Sequence, residues 1–196
     1  MREDTSVAPN SLPFPDGLER DGIALRRLRA RDAHAFAGAF RADPQLGVQI
    51  GADEDPTENG VRRFIARQPG LRARGEFLGM AVTDASKRPF LGHVMLHTLA
   101  WRHRRGEVGY WLVPEARGRG IGKAAVSLVV EWAFEELRLE RIEITTTPEN
   151  TAARALAHSL GFEEEGVMIA RNLERGRRVD VVLLARVRDR SHNLPA

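Results

Sequence analysis

The sequence predicts a single domain of the α/β (α+β) class, with a mixed, mainly antiparallel sheet of roughly six or seven strands and about four helices. Two observations support this prediction. The strand-like segments 76–83 and 90–99 are joined by a turn of hairpin length, which favours antiparallel pairing. The segment 107–146 has the pattern of a strand, a loop, a long helix and a second strand, which is a crossover between parallel strands.

The remaining elements are predicted from apolar periodicity and helix caps. Asp32 and Asn150 each precede a helical pattern and are typical N-cap residues. The other helices are therefore predicted at 32–41, at 56–67 with Gly70 beyond its end, and from Asn150 to Gly161. The other strands are predicted at 23–28, 165–172 and 177–186.

The two ends of the chain differ in composition from its middle. Residues 1–20 are polar and rich in proline, without periodicity, and are predicted to form a flexible N-terminal arm. Residues 188–196 are predicted to form a C-terminal tail. Between them no linker and no repeat is visible, so the domain is predicted to span residues 21–187.

Composition narrows the class of function. With 196 residues, 42% hydrophobic and 29% charged, the chain resembles a soluble globular domain. It contains no cysteine, which excludes disulfides and cysteine-based zinc or nucleophile chemistry, and no metal site is predicted. No apolar stretch is long enough to span a bilayer. We therefore expect a cytoplasmic protein without a membrane partner.

The high pI of about 10.1 does not indicate a nucleic-acid-binding protein. The formal net charge is only +3, and Lys87 and Lys123 are the only lysines among the 30 basic residues. Arginine keeps the pI high without a large field at neutral pH. No basic stripe is combined with stacking aromatic residues, so a nucleic-acid partner is not expected.

The segment 107–123 carries the strongest chemical signal. Three glycines stand at alternate positions directly before a helix, namely Gly118, Gly120 and Gly122. Such a loop can adopt positive φ angles, and the helix start offers free N–H groups to a phosphate. The cationic side chains around it belong to Arg117, Arg119 and Lys123. The loop therefore predicts a site for a pyrophosphate-bearing cofactor.

The loop has three other possible interpretations. A Walker loop requires a glycine where Arg117 stands and a Ser or Thr where Ala124 stands, so it is excluded. The segment 120–125 fits the dinucleotide pattern G-x-G-x-x-A, but residues 114–119 separate it from the preceding strand. A simple glycine-rich turn with surface arginines stays open.

The loop also resembles a known family signature. Residues 117–122, R-G-R-G-I-G, resemble the R/Q-x-x-G-x-G/A motif of the GNAT (Gcn5-related) N-acetyltransferases. The segments G-Y-W-L at 109–112 and L-G-F at 160–162 resemble the RimJ/RimL-like branch, which acetylates ribosomal-protein N-termini. The similarity extends from about residue 23 to 187. The resemblance implies a GNAT-like fold and acetyl-CoA as the cofactor.

The resemblance also implies which residues hold acetyl-CoA. The loop would bind the pyrophosphate, and backbone groups of Leu112 and Val113 would hold the acetyl and pantetheine end where two strands separate. Asn150 matches an asparagine that contacts the cofactor or an ordered water. The implied cofactor-binding residues are Leu112, Val113, Arg117, Gly118, Arg119, Gly120, Ile121, Gly122, Lys123 and Asn150.

The residues for proton transfer are less well defined. Glu107 lies near a position where the family often has a general base, although a solvated glutamate at a strand end is the plain alternative. Glu107 and Asn150 are the implied catalytic residues. The family usually carries Ser or Tyr where this chain has Ala153 and Ala157, so no acid for the thiolate is predicted. Three histidines are further candidate bases without a distinguishing feature, namely His93, His97 and His103.

An acidic segment separates the first two predicted helices. Residues 42–61 contain no Lys or Arg but five acids, namely Asp43, Asp53, Glu54, Asp55 and Glu58. The acids near the second helix favour its N-terminus, which is sufficient to explain them. The functional alternative is an acidic collar that attracts a cationic amine.

These observations predict a bacterial transferase that moves an acetyl group from acetyl-CoA to a primary amine, with a protein N-terminus as one acceptor. A small-molecule acceptor, such as an antibiotic or polyamine, is the alternative among enzymes. Because Ser and Tyr are missing at 153 and 157, a non-catalytic acyl-CoA-binding protein also stays open. The predicted partners are acetyl-CoA and the amine, and a homodimer is left open.

Overall fold

The computed structural model describes residues 11–43, 46, 56–174 and 176–188. Within these residues eight strands form one sheet in the order β1-β2-β3-β4-β5-β6-β8-β7. The strands are β1 (Glu19–Arg20), β2 (Ile23–Arg27), β3 (Leu78–Asp84), β4 (Gly92–Ala100), β5 (Arg105–Leu112), β6 (Arg141–Thr146), β7 (Glu163–Glu174) and β8 (Arg177–Val187).

The pairing confirms the predicted mixed sheet. Strands β5 and β6 are parallel, and every other neighbouring pair is antiparallel. The strand count exceeds the expected six or seven because β1 was not predicted. It has only two residues, which is too short to show the alternation that identifies a strand.

The helices in the described ranges are α1 (Asp32–Ala42), α2 (Glu58–Ala73), α3 (Ile121–Glu135) and α4 (Thr151–Ser159). The structure corrects the end of α2, because the helix continues through Pro69 and Gly70 instead of stopping before them. Gly70 still accepts a hydrogen bond from Arg74, so the last turn stays closed. None of these helices is long and apolar enough to cross a membrane.

The predicted cap at Asp32 also needs correction. Arg31 is the N-cap of α1, and Asp32 is the first helical residue. The buried Asp32 carboxylate accepts hydrogen bonds from Arg26 at 2.7 and 2.9 Å and from the Arg29 N–H at 2.7 Å. Burial alone would raise the pKa of Asp32, but these bonds hold it below its ordinary value. Asp32 thus fastens β2 to α1.

The described half of the predicted N-terminal arm packs against the domain. Leu12 is fully buried, and its N–H donates to the carbonyl of Arg72 at 2.8 Å. Phe14 and Leu18 pack against the main core. Residues 1–10 and most of the tail, 189–196, lie outside the described residues.

Two hydrophobic clusters cover the two faces of the sheet. Along β5, Val108 and Leu112 belong to the cluster that contains α3, whereas Trp111 belongs to the cluster that contains α1. Because side chains alternate along a strand, the two clusters lie on opposite faces. The residues of β5 therefore contact either the α3 side or the α1 side.

Candidate active site

A gap between β5 and β6 lies at the centre of the sheet. Their parallel pairing ends at Glu107 opposite Glu143, although β5 continues to Leu112 and β6 to Thr146. The separation agrees with the predicted splay. The Leu112 carbonyl accepts from Arg117, and the Val113 N–H donates to Leu91. The prediction that backbone groups at this end of β5 hold an acyl chain therefore rests on the Leu112 N–H and on residues 108–111.

The glycine loop follows β5 after a short 3-10 turn, Pro114–Ala116. Gly118 and Gly120 have φ angles of +68° and +76°, and Gly120 is the N-cap of α3. A Cβ atom at either position would meet no other atom within 4 Å. These two glycines are therefore required for backbone conformation, and the space in front of them is free for a ligand.

Gly122 has a different role. A Cβ atom there would lie 3.1 Å from both the Tyr110 ring and the Leu156 side chain. The third glycine therefore lets the first turn of α3 approach β5 and α4 closely. The N-terminal amides of α3, which have no partner within the helix, consequently lie at the end of the gap.

The three cations of the loop are placed differently. The Arg117 guanidinium donates to the Leu112 carbonyl at 3.0 and 3.1 Å and pairs with Asp43 at 2.6 Å. It therefore positions the loop. Arg119 is exposed, and Lys123 lies on the first turn of α3 with its side chain at the edge of the cavity. Lys123 is thus the best-placed side chain for a phosphate.

One cavity of about 730 Å³ joins the loop to the gap. Of the sequence-predicted residues, all but Val113 and Arg119 line it, as far as the described residues go. The predicted residues that it brings together are Glu107, Leu112, Arg117, Gly118, Gly120, Ile121, Gly122, Lys123 and Asn150.

Glu107 lies in this cavity with two polar neighbours. The Thr145 hydroxyl donates to its carboxylate, and His97 stands opposite it on β4. The histidine was not distinguished from the others by sequence, although the register of β4 against β5 would have identified it. Gly109 leaves room for the ring, since a Cβ atom there would lie 3.3 Å from His97 Nε2.

The surroundings of His97 favour a neutral imidazole. Burial lowers its pKa below the ordinary value, while the charge of Glu107 acts in the opposite direction. His97 Nδ1 lies 2.8 Å from the Thr98 hydroxyl, at a bulge in β4 where Thr98 has a φ of +50°. When Nδ1 donates to Thr98, Nε2 is free to accept a proton.

The other two histidines are outside the cavity lining within the described chain. His93 is 2% exposed and packs among Phe36, Phe64 and Trp111. Burial, together with the charge of His97, lowers its pKa to about 3, so it stays neutral. His103 is exposed on a short 3-10 turn.

Asn150 acts as the N-cap of α4. Its side-chain oxygen accepts from the Ala153 N–H at 3.1 Å, as the sequence predicted, and the residue also lines the cavity. Ala153 lines the cavity without a polar side chain, and Ala157 is fully buried. Neither can therefore supply the hydroxyl that the family usually has.

The far wall of the cavity was not predicted. It is formed by the hairpin of β7 and β8, and its lining residues are Met168, Arg171, Asn172, Glu174 and Val181. A bulge between Met168 and Asn172 shapes this wall, and the Ala170 N–H within it donates to Asp180 at 2.7 Å. The predicted acidic collar lies mostly outside the described residues, which include Asp43 and Glu58 but not 53–55.

Comparison with known proteins places this geometry in a family. The pattern of the family described as the acetyltransferase (GNAT) domain matches residues 23–163. The chain belongs to the GNAT acetyltransferases. It is therefore an acetyl-CoA-dependent N-acetyltransferase, and the predicted similarity to the RimJ/RimL-like branch is confirmed.

Individual relatives differ in the acceptors that their names give. YdaF of Bacillus subtilis, provisionally named a ribosomal N-acetyltransferase, is 31% identical over 74% of this chain and 79% of its own. The L-amino acid N-acetyltransferase AaaT of Escherichia coli is 25% identical over 85% of this chain and 98% of its own. A structure of Mycobacterium smegmatis RimJ in complex with CoA-disulfide has a TM-score of 0.75 at 25% identity, covering 87% and 84% of the two chains.

Proposed function

We propose that this N-acetyltransferase acetylates the N-terminus of a protein, with the cofactor held by the glycine loop and the proton accepted at Glu107. The observation that carries the proposal is the single cavity that contains the loop, the gap between β5 and β6, and the pair of Glu107 and His97. Cofactor and amine could thus meet within one cavity.

The cofactor fits the residues present. The amides at the start of α3 and the Lys123 ammonium would hold the pyrophosphate, and the gap would admit the acyl arm. Acetyl-CoA supplies an activated acetyl group at this place. Arg117 keeps the loop in position through its bonds to Leu112 and Asp43. Asn150 would keep the start of α4 beside the arm.

The Glu107 carboxylate would accept the proton that the amine loses as it forms the new C–N bond. His97 is a second acceptor at the same place, since burial favours its neutral form. Thr145 orients the carboxylate by donating to it. A positioned general base typically contributes a factor of about 10² to 10⁴ in rate.

A polypeptide acceptor is favoured by the surface beside the cavity. On β7, Val167, Ile169 and Leu173 are exposed by 49%, 83% and 58%, next to residues that line the cavity. Exposed apolar side chains at the mouth of a site are typical of a surface that contacts another chain. A free amino acid or polyamine would leave them uncovered.

A small cationic amine is the second candidate. Glu107 and Glu174 both line the cavity, and one Glu174 carboxylate oxygen is buried without a hydrogen-bond partner in the described structure. Two carboxylates in one cavity favour a substrate with more than one positive charge. The amino-acid acceptor named for AaaT is a third kind of small molecule that must be tested.

We further propose that the protein acts in the bacterial cytoplasm, because the named bacterial relatives include YdaF and AaaT. The homodimer stays a prediction. The molar mass in solution, measured by light scattering, tests it.

The acceptor is identified by measuring acetyl transfer to a panel of amines. The panel contains peptides with the N-termini of ribosomal proteins, the same peptides with a blocked N-terminus, free amino acids and polyamines. We expect the largest kcat/KM for free peptide N-termini and no transfer to the blocked ones. Larger kcat/KM values for a polyamine or an amino acid would overturn the protein acceptor in favour of the small-molecule candidate.

A further inference from the structure

Acetyl transfer leaves a negative charge on the sulfur of CoA, and the described residues of α4 that line the cavity offer no free hydroxyl to stabilise it. When the amine displaces CoA, the C–N bond forms, the C–S bond breaks, and the electron pair stays on sulfur. Ala153 has no hydroxyl, Ala157 is buried, and the Ser159 hydroxyl donates to the Leu156 carbonyl at 2.8 Å. The following inference rests on the proposed acetyl transfer and concerns the group that stabilises this sulfur.

Tyr110 is the only cavity-lining residue of β5 that carries a hydroxyl group. Side chains alternate along β5, so Glu107 and Trp111 lie on the α1 side, and Tyr110 lies on the α3 side. The Tyr110 ring contacts the start of α3, where a Cβ atom on Gly122 would lie 3.1 Å away. Glu107 and Tyr110 thus lie on opposite faces of the sheet, close to the same gap.

The environment of Tyr110 keeps its hydroxyl protonated, so the hydroxyl remains a hydrogen-bond donor. Burial raises the pKa of Tyr110 to about 12, so the hydroxyl stays protonated throughout the working range of pH. No side-chain hydrogen bond among the described residues engages it, and it is not among their fully buried unpaired atoms. The hydroxyl is therefore accessible on a residue that lines the cavity, where a ligand can accept from it.

We propose that the Tyr110 hydroxyl donates a hydrogen bond to the sulfur of CoA as the C–S bond breaks. The hydroxyl keeps its proton, because a thiol loses its proton near pH 8.5 and a phenol of higher pKa does not transfer its own to such a weak base. The amine proton passes to Glu107 and then to water. Released CoA takes its proton from water, which closes the balance.

This arrangement separates the two charges of the reaction by the thickness of the sheet. The base that accepts the amine proton lies on the α1 side, and the donor to sulfur lies on the α3 side. The strand β5 carries both, three residues apart. The arrangement therefore explains how the chain could function with alanine at 153 and 157.

The first test reads the bound product and requires no turnover. The thiol pKa of CoA bound to the protein is measured from thiolate absorbance during a pH titration. Tyr110 is the only tyrosine of the chain, so no other phenol contributes to this signal. A hydrogen bond to the anion should place the thiol pKa about one to two pH units lower in the wild-type complex than in Tyr110→Phe. Equal thiol pKa values in the two complexes would overturn the proposal.

The second test uses the leaving group. Tyr110→Phe keeps the ring that packs on Gly122, so the melting temperature and the affinity for acetyl-CoA, which has no free thiol, should stay unchanged. With acetyl-CoA, kcat should fall by about 10- to 100-fold. With acetyl thioesters of more acidic thiols, which need less stabilisation, the loss should shrink toward none. An equal loss for all thioesters, or no loss for acetyl-CoA, contradicts the proposal.

The ratio of wild-type to variant kcat should also be constant with pH. The charged side chains around the cavity are the same in both proteins, so their effects cancel in this ratio; they are Glu107, His97, Arg117, Lys123, Arg171 and Glu174. A proton donor that titrated in this range would change the ratio. Introducing Ala153→Ser into Tyr110→Phe should restore part of kcat, because it places a hydroxyl in the same cavity. A double variant no faster than Tyr110→Phe would contradict the proposed deficit in donors.

The proposed function and the role of Tyr110 can be disproved separately. If the wild-type protein acetylates no amine of the panel, the proposed function fails, while the thiol pKa still reports on Tyr110. If the wild-type protein transfers acetyl normally and Tyr110→Phe matches it in kcat and in the thiol pKa, only the role of Tyr110 is wrong.

Discussion

The proposed cofactor side and the proposed acceptor side of the cavity are built in different ways. The cofactor side comes from one continuous segment, in which β5, the glycine loop and α3 follow one another from residue 105 to 135. The acceptor side combines His97 on β4, Glu107 on β5, Thr145 on β6 and Arg171 on β7. The first is made largely by backbone, and the second by side chains that only the tertiary fold brings together.

This difference has a functional consequence. A site made of amides at a helix start requires only glycines and suitable φ angles. Substitution of single side chains therefore alters its ligand class little. A site made of separate side chains can be altered one residue at a time. The acceptor can therefore vary among proteins that hold the same cofactor, as the names of YdaF and AaaT illustrate.

The largest expected effect is a loss of CoA binding that leaves the acceptor side intact. Gly120→Glu should weaken CoA binding by at least about 100-fold, because a carboxylate at the start of α3 repels the pyrophosphate that the helix terminus attracts. The φ of +76° strains a side chain at this position by about 1 to 2 kcal/mol, but a Cβ atom would meet nothing within 4 Å, so the fold should remain. Titration calorimetry with CoA measures the loss.

Gly120→Asn is the matched control for this variant. Asparagine tolerates the φ of +76° better than other side chains and adds no charge, so it should retain most of the affinity. Equal affinities for the Glu and Asn variants would show that the loop does not hold the pyrophosphate.

The next largest effect is a loss of amine acetylation that leaves CoA binding intact. Glu107→Gln keeps the size of the side chain but removes the proton acceptor, so kcat/KM for the amine should fall by about 100-fold while CoA affinity stays unchanged. The residual activity should depend on His97. Glu135→Gln, at the exposed end of α3, is the control and should behave as wild type.

The pH dependence of kcat/KM tests the role of Glu107 as the base more directly. If the loss in Glu107→Gln is accompanied by no change in the acid limb of the profile of kcat/KM, Glu107 is not the base. A wild-type acid limb that lies below pH 6.5 agrees with the lowered pKa of His97.

A third effect concerns the aromatic core beneath the acceptor side. The folded pKa of His93 is about 3, against about 6.5 in an unfolded chain, so the unfolded state binds more protons between these values. Stability is therefore complete above pH 6.5 and falls as the pH decreases. From pH 7.5 to 5 the free energy of unfolding should decrease by about 2 kcal/mol through this group.

Urea unfolding at several pH values tests this decrease. His93→Leu should remove it, whereas His103→Gln should leave it, because His103 is exposed. The same slope in all three proteins would assign the acid sensitivity to other groups.

The smallest expected effect concerns the wall of the cavity that β7 and β8 form. Arg171→Ala should raise the KM for a peptide acceptor by about 5-fold, because the exposed guanidinium can donate to a peptide carbonyl, and should leave the KM for acetyl-CoA unchanged. Arg178→Ala, exposed on β8 within the described chain and absent from the cavity lining, is the control. A change in the KM for acetyl-CoA would place Arg171 on the cofactor side instead.

Sequence patterns predicted the glycine loop and the helix after it because their signals are local. The spacing of Gly118, Gly120 and Gly122, the break at Pro114 and the apolar stripe of α3 all lie within one short segment. The role of Arg117 was not predictable, because its bonds to Leu112 and Asp43 depend on where α1 ends. The end of α2 was missed for a related reason, since tertiary packing outweighed the local signal of Pro69 and Gly70.

The acceptor side was predicted only at Glu107. His97 gave no signal until the register of β4 placed it opposite Glu107, and Arg171 depends on a bulge in β7. A bulge adds one residue and reverses which side chains face the site, so alternation in the sequence misassigns them. Such features follow from pairing, which the sequence pattern alone does not specify.

The separation of the two sides is tested most directly by the affinity of acetyl-CoA for two variants, measured by calorimetry under the same conditions. We expect Gly120→Glu to lose binding and Glu107→Gln to bind as wild type does. Retained binding in Gly120→Glu, or lost binding in a folded Glu107→Gln, would contradict a cofactor site made by the loop and a proton acceptor that lies apart from it.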